Sequence, residues 1–130
     1  MRVFLSYAAE DRKWAQELIS SLQDAGLQVW DGAAELANGN NWFLETGKAL
    51  EGANAMVVLL SPAAAKSEGL KREIDYALTS KRFKHRLIPV IVKPTAKIPW
   101  ILQRLRPETG DPSSVSKRIV RRLKGQREAA

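Results

Sequence analysis

Ala55-Met56-Val57-Val58-Leu59-Leu60 is apolar at every position and runs directly into Ser61-Pro62. A strand with one wet face alternates apolar and polar residues, so an unbroken apolar run predicts a strand covered on both faces, as in the middle of a parallel sheet. Ser61-Pro62 is a helix opening, a capping hydroxyl followed by a first-turn proline. Strand and helix back to back predict a βα unit, and the neighbouring sequence repeats that alternation. Upstream, Arg2 to Ser6 and Leu27 to Trp30 read as short strands. Between them Asp11 is placed to cap a helix with an inner face of Trp14, Ala15, Leu18, Ile19, Leu22 and Ala25, which Gly26 ends. A long polar loop, Asp31 to Gly39, leads to a helix capped by Asn40 or Asn41, with Trp42, Phe43, Thr46, Ala49 and Leu50 inward and Gly52 as its breaker.

Downstream, the segment from Ala63 to about Ser80 reads as helical with an interruption near Ser67–Gly69. Leu87 to Val92 is a fourth strand, and Gln103 to Arg106 a short fifth. Val115, Ile119 and Leu123 form the stripe of a final helix. The alternation calls for right-handed crossovers, hence an α/β, flavodoxin-like three-layer sandwich around a central five-stranded parallel sheet. In such sheets ligands bind beyond the C-terminal ends of the strands. Tyr7, Asp31, Ser61 and the loop after Val92 all fall at that edge.

Ser67-Glu68-Gly69-Leu70-Lys71-Arg72-Glu73-Ile74-Asp75-Tyr76-Ala77-Leu78 is amphipathic, with Leu70, Ile74, Ala77 and Leu78 as its stripe. Glu73 lies at the margin of that stripe, where a carboxylate is costly unless it is bound or kept wet. The ordinary reading is a flank glutamate pairing with a nearby Lys or Arg.

Composition narrows the chemistry. The chain has 130 residues, 45% hydrophobic and 27% charged, enough for one proper core. It has no cysteine and a single histidine, His85, so thiol nucleophiles, disulfides and Cys/His metal sites are ruled out, and no metal ligand set is expected. No run is long enough for a membrane span and the first residues lack a secretory pattern, so a cytoplasmic protein is expected. The net charge of +7 is concentrated at the end. Residues 113–130 carry Lys117, Arg118, Arg121, Arg122, Lys124 and Arg127 against Glu128. With no aromatic stacking residue among them, they read as a solvated helix face, and nucleic acid is not expected as a partner. No glycine-rich phosphate loop is present, and the strand ends lack the acidic residues a response regulator needs.

The motifs carry a resemblance. Phe4-Leu5-Ser6-Tyr7 with Asp11, Leu22 and Gly26; Trp30-Asp31 with Leu36, Gly39 and Trp42; Val57-Val58-Leu59-Leu60-Ser61-Pro62; and Ser67 with Glu73 and Ala77-Leu78 follow one another as in TIR (Toll/interleukin-1 receptor homology) domains. The last set is similar to the family's S-x-W-C-x-x-E-L-x-x-A-L helix, with Gly69 and Leu70 in place of Trp and Cys. Ala8 and Ala9 stand where some active members carry arginines. The resemblance covers roughly residues 2 to 123 and implies a TIR domain over 1–124 with a frayed tail, 125–130.

Many bacterial and plant members of that family, and an animal neuronal one, cleave the nicotinamide–ribose bond of NAD. Others are non-catalytic modules that signal by self-association. The bacterial NAD-cleaving branch fits the retained glutamate. It implies Glu73 as the catalytic carboxylate and Ser6, Tyr7, Trp30, Asp31, Ser61 and Leu70 around the substrate. NAD would be substrate, with no cofactor, and the products would be nicotinamide with ADP-ribose or a cyclic ADP-ribose signal, in defence signalling. A homo-oligomer built on TIR–TIR contacts is the partner it implies. A nucleoside deoxyribosyltransferase-like N-glycosidase would share the sheet and a glutamate, but Ser61-Pro62 and Trp30-Asp31 fit the TIR pattern better.

Overall fold

A computed structural model describes residues 1–32, 42–83, 85–95 and 98–129, the side chains of 42–46 and 126–129 excepted. The caps expected at Asn40 or Asn41, the loop residues Leu36 and Gly39, and the inward side chains of Trp42, Phe43 and Thr46 lie outside the described residues. Four strands, β1 (Arg2–Ser6), β2 (Gln28–Asp31), β3 (Ala55–Leu60) and β4 (Leu87–Ile91), form a parallel sheet in the order β2-β1-β3-β4. The helices are α1 (Arg12–Asp24), α2 (Trp42–Gly52), α3 (Pro62–Ala65), α4 (Glu68–Thr79), α5 (Trp100–Gln103) and α6 (Pro112–Ala129), with short 3-10 turns at Ala9–Asp11 and Lys81–Phe83.

All six residues of β3 are buried, as an unbroken apolar run at the sheet centre requires. Alternation along the strands divides the core into two layers. Val3, Leu5, Val57 and Leu59 face α1 and α6, where Leu18, Leu22, Val115, Ile119 and Leu123 meet them. Phe4, Met56 and Val58 face the other way, towards Leu50, Leu70, Ala77, Phe83 and Leu102. Each large side chain buried in this way contributes roughly 1.5–3 kcal/mol.

Most of the expected punctuation is present. Gly26 follows α1 with φ +92, the left-handed conformation that favours glycine. The Ser61 hydroxyl caps α3 by accepting from the Ala64 N–H at 3.1 Å, and Ser67 caps α4 by accepting from Leu70 at 3.2 Å. The interruption in the long helical segment therefore falls at Lys66-Ser67, and Gly69 lies inside the first turn of α4. Asp11 precedes α1 but its side chain makes no capping bond, because it is turned into the protein.

Two elements differ from the sequence expectation. Gln103–Arg106 is not a strand: α5 ends at Gln103, and Arg106, at φ +56, breaks any extended run. The fifth position of the sheet is filled by one parallel bridge, Val90 to Glu108, in which Glu108 donates to the Pro89 carbonyl and accepts from Ile91. Pro89 is tolerated because its missing N–H would face this thinly paired edge. At the C-terminus, α6 passes Gly125 and is described through Ala129. An interior glycine costs a helix only about 1 kcal/mol and does not stop it unless it turns left-handed.

The basic face of α6 is only partly solvated. Arg118 donates to Glu108 at 2.6 Å and to the Thr109 carbonyl, and Arg122 donates to Glu108 at 3.3 Å and to the carbonyls of Leu105 and Arg106. These two arginines stitch α6 to the segment that bridges β4, which leaves Lys117, Arg121 and Lys124 on the exposed side.

Gly32, directly after β2, has a structural reason to be glycine. A Cβ there would sit 2.8 Å from the Leu5 carbonyl oxygen, which the sheet holds in place. Gly32→Ala is expected to destabilise the domain by about 1–3 kcal/mol, read as a lower urea midpoint. Gly47→Ala, on α2 with nothing within 4 Å of its Cβ position, should be neutral or mildly stabilising in the same assay.

Candidate active site

α4 is placed by its buried face, and that face is not the one the apolar spacing suggested. Leu70, Glu73 and Ala77 are buried, Ile74 is half-buried, and Leu78 is 40% exposed. The helix is rotated so that Glu73, 5% exposed, points at the sheet in place of Leu78. This corrects the reading of Glu73 as a flank glutamate paired with a surface cation. Its Oε2 accepts a short hydrogen bond from the Ser6 hydroxyl at the C-terminal end of β1, and no described cation pairs with it. Burial pushes its carboxyl up to about 7, with the Ser6 hydroxyl pulling weakly the other way.

Two further hydroxyl–carboxylate pairs stand along the same sheet edge. Ser61, at the end of β3, donates to Asp11 Oδ2 at 2.5 Å while it caps α3. Asp11 is 3% exposed, and its other oxygen, Oδ1, has no hydrogen-bond partner among the described residues. The ammonium of Lys93, just past β4, lies 3.9 Å from that oxygen. Tyr7 donates to Asp31 Oδ1 at 2.5 Å, and burial together with the Asp31 carboxylate raises the phenol's pKa.

Strand alternation separates the residues expected to form one pocket. Ser6, Leu70 and Glu73 lie on the α4 side of the sheet, whereas Tyr7 belongs to the layer under α1 and α6 and holds Asp31 there. Leu70 and Ser61 line a cavity of about 100 Å³ together with Ile74, Thr95, Ile98 and Pro99. Trp30 is on the α4 side too, but it faces a different groove, of about 370 Å³, beside Arg2, Gln28, Lys48 and Gly52. Its indole N–H is buried there without a partner among the described residues. Trp30 shares β2 with Asp31, yet its neighbours belong to the opposite end of the sheet.

Asp11 is the member of this edge that the sequence reading missed, and Lys93, though in the loop after Val92 expected here, was not singled out. The place of Asp11 before α1 suggests only a local role as a helix cap, and nothing in the fifty-residue separation links it to Ser61. The available signal was its place after Phe4-Leu5-Ser6-Tyr7, in the same block of motif residues.

The sequence pattern of the TIR domain family matches residues 3–120, most of the chain. The chain is a TIR domain. Among solved structures, the TIR domain of the Toll-related Receptor TRR-2 from the lower metazoan Hydra magnipapillata is similar to it, with 24% identity, a TM-score of 0.74 and 95% of each chain covered. At that identity the likeness speaks for the TIR fold alone. A search of curated proteins finds no match. TIR domains commonly self-associate, and no described helix of this one is long and apolar enough to cross a membrane.

Proposed function

We propose that this TIR domain cleaves the nicotinamide–ribose bond of NAD, with Glu73 as the catalytic carboxylate. The observation that carries this reading is a carboxylate buried at the C-terminal edge of a parallel sheet, held by one serine hydroxyl and paired with no described cation. A buried structural carboxylate is normally neutralised by a partner. One left with a single hydroxyl and a raised pKa is the kind of group an active site retains.

The chemistry suits one carboxylate. The bond between ribose C1′ and the pyridinium nitrogen breaks with its electron pair going to nitrogen, so nicotinamide leaves neutral and needs no proton. Positive charge then develops on the ribose, and the Glu73 carboxylate stabilises it. Water adds at C1′ and gives up a proton, completing nicotinamide and ADP-ribose; attack by the adenine of the same molecule would give the cyclic product. Ser6 holds Glu73 in one orientation, Leu70 and Ser61 shape a cavity on the same side of the sheet, and Asp11 fixes Ser61. Tyr7, Asp31 and Trp30 act outside this pocket.

The cavity lined by Ser61, Leu70 and Ile74, about 100 Å³, is room for only a few waters and does not have Glu73 in its lining, so the dinucleotide reaches the carboxylate when the crevice widens. Contact with a second copy is the means we propose, in keeping with the self-association common in the family. The small cavity also favours a second reading, a non-catalytic interaction module in which Glu73 is a buried structural acid. Purified protein incubated with NAD over a wide concentration range, with nicotinamide followed by chromatography, separates the two. We expect release whose specific activity climbs with protein concentration. No release even where sedimentation shows association would select the interaction module.

A further inference from the structure

At the opposite end of the sheet from Glu73, the end of α4 and the start of β4 enclose a groove of about 390 Å³. Its floor is apolar, formed by Ala77, Leu78, Phe83, Leu87 and Leu105, and Lys81 and His85 stand at its rim. Leu78 is 40% exposed there, although its place in the helix pattern would suit a buried residue. The sequence around the floor is strongly basic: Lys81 and Arg86 flank Phe83, and Arg104 and Arg106 flank Leu105. Arg82 is committed elsewhere, donating to the Leu50 and Glu51 carbonyls that end α2 and to the Tyr76 hydroxyl. Asp75 is the one acid within a turn of Leu78 on α4.

The backbone is unusual at the same place. His85, at φ +69, and Arg106, at φ +56, are the non-glycine residues with positive φ among the described residues. His85 lines the groove, and Arg106 directly follows Leu105 on its floor. Left-handed backbone at such residues persists where the surrounding structure imposes it, and it is concentrated at binding sites.

We propose that this groove docks an acidic segment of a partner protein that carries leucine or phenylalanine anchors. The volume suits the apolar side chains of one short segment rather than the face of a second domain. Carboxylates flanking the anchors would meet Lys81 at the groove, with Arg86, Arg104 and Arg106, next in the chain to its lining residues, adding positive charge nearby, so apolar burial supplies affinity and charge supplies selectivity. The proposal does not depend on NAD cleavage, since the groove includes neither Glu73 nor Ser6 and shares no residue with the cavity lined by Ser61 and Leu70.

The test is a selection of random dodecapeptides displayed on phage against the immobilised domain, with the Leu78→Asp variant as counter-target. Leu78 and Lys81 are exposed, and circular dichroism and the thermal midpoint check that the variants fold. The enriched peptides should carry net negative charge and apolar anchors, and should lose affinity as salt rises. Their Kd should increase at least about tenfold with Leu78→Asp and with Lys81→Glu, which is about 1.4 kcal/mol. Should Leu78→Asp unfold, Leu78→Ala and Lys81→Glu carry the comparison. Peptides without acidic character, or equal binding to folded variants, would overturn the proposal. So would a Leu78-dependent affinity for phosphatidylserine vesicles without peptide binding, which would make this a membrane-facing patch, or a Leu78-dependent dimer without it, which would make it a contact between copies.

Discussion

Glu73→Gln is expected to lower nicotinamide release at least a hundredfold, a loss of about 2.7 kcal/mol in transition-state stabilisation. The amide keeps the size of the side chain and can still accept from the Ser6 hydroxyl, so the packing of α4 against β1 survives. What it lacks is the negative charge that answers the developing oxocarbenium. Because the carboxylate is the active form and burial has raised its pKa to about 7, kcat/KM should rise tenfold per pH unit below that value and level off above it. A variant retaining more than about a tenth of the wild-type rate, a loss below about 1.4 kcal/mol, would remove Glu73 from the electrostatic centre of the reaction. A flat pH profile across that range would do the same.

The second large effect is on stability, and it runs the other way. The Glu73 carboxyl titrates near 4.5 when free and near 7 in the folded domain. Between those values the folded state holds a proton that the unfolded chain has released. The contribution of this group to stability is therefore fully present below about pH 4.5, falls as pH rises through the window, and is lost above about 7. The total is on the order of 3 kcal/mol. Urea unfolding between pH 5 and 8 should show this decline in the wild type, and Glu73→Gln should flatten it and be the more stable protein at pH 8. Asp111, whose pKa is lowered by hydrogen bonds from Ser114, acts only in more acidic solution, and the raised Tyr7 phenol only in alkali. Equal slopes in the two proteins would mean that Glu73 is wetter than its surroundings indicate. In our reading the domain gives up stability at neutral pH to keep this carboxylate charged, a trade expected where a site is built for chemistry rather than for folding.

How far the sequence carried differs from one element to the next. The six apolar residues of β3, the Ser61-Pro62 cap, the Gly26 stop and the Val115, Ile119, Leu123 stripe were legible because each rests on local chemistry. A hydroxyl caps the helix that follows it, a glycine takes a left-handed turn, and a continuous apolar run needs cover on both faces, whatever lies elsewhere in the chain. The alternation of strands and helices then left a parallel α/β sandwich as the consistent architecture, and the order of the motifs identified the family. The fifth strand expected at Gln103–Arg106 does not form there because the edge of a sheet is decided by whichever segment reaches it, and here Glu108 does so with a single bridge.

The candidate site divides along the same line. Glu73 could be singled out from its helix motif, but the apolar spacing put Leu78 on the inner face and Glu73 at its margin. Only the packing of α4 against β1 sets the rotation that buries the carboxylate on Ser6 and leaves Leu78 in the solvent. Which edge residues share a pocket was likewise a tertiary matter. The strand period of two sends Ser6 and Tyr7 to opposite faces of the sheet, and it takes the assembled sheet to show which helix waits on each. The bond between Asp11 and Ser61 closes a loop of fifty residues, and no local pattern encodes a contact made by two elements that meet only when the sheet has formed. By itself, then, the sequence determined the elements, their order and the family, because those follow from short-range chemistry; the orientation of α4, the burial of Glu73 and the partition of the crevice were decided by long-range packing.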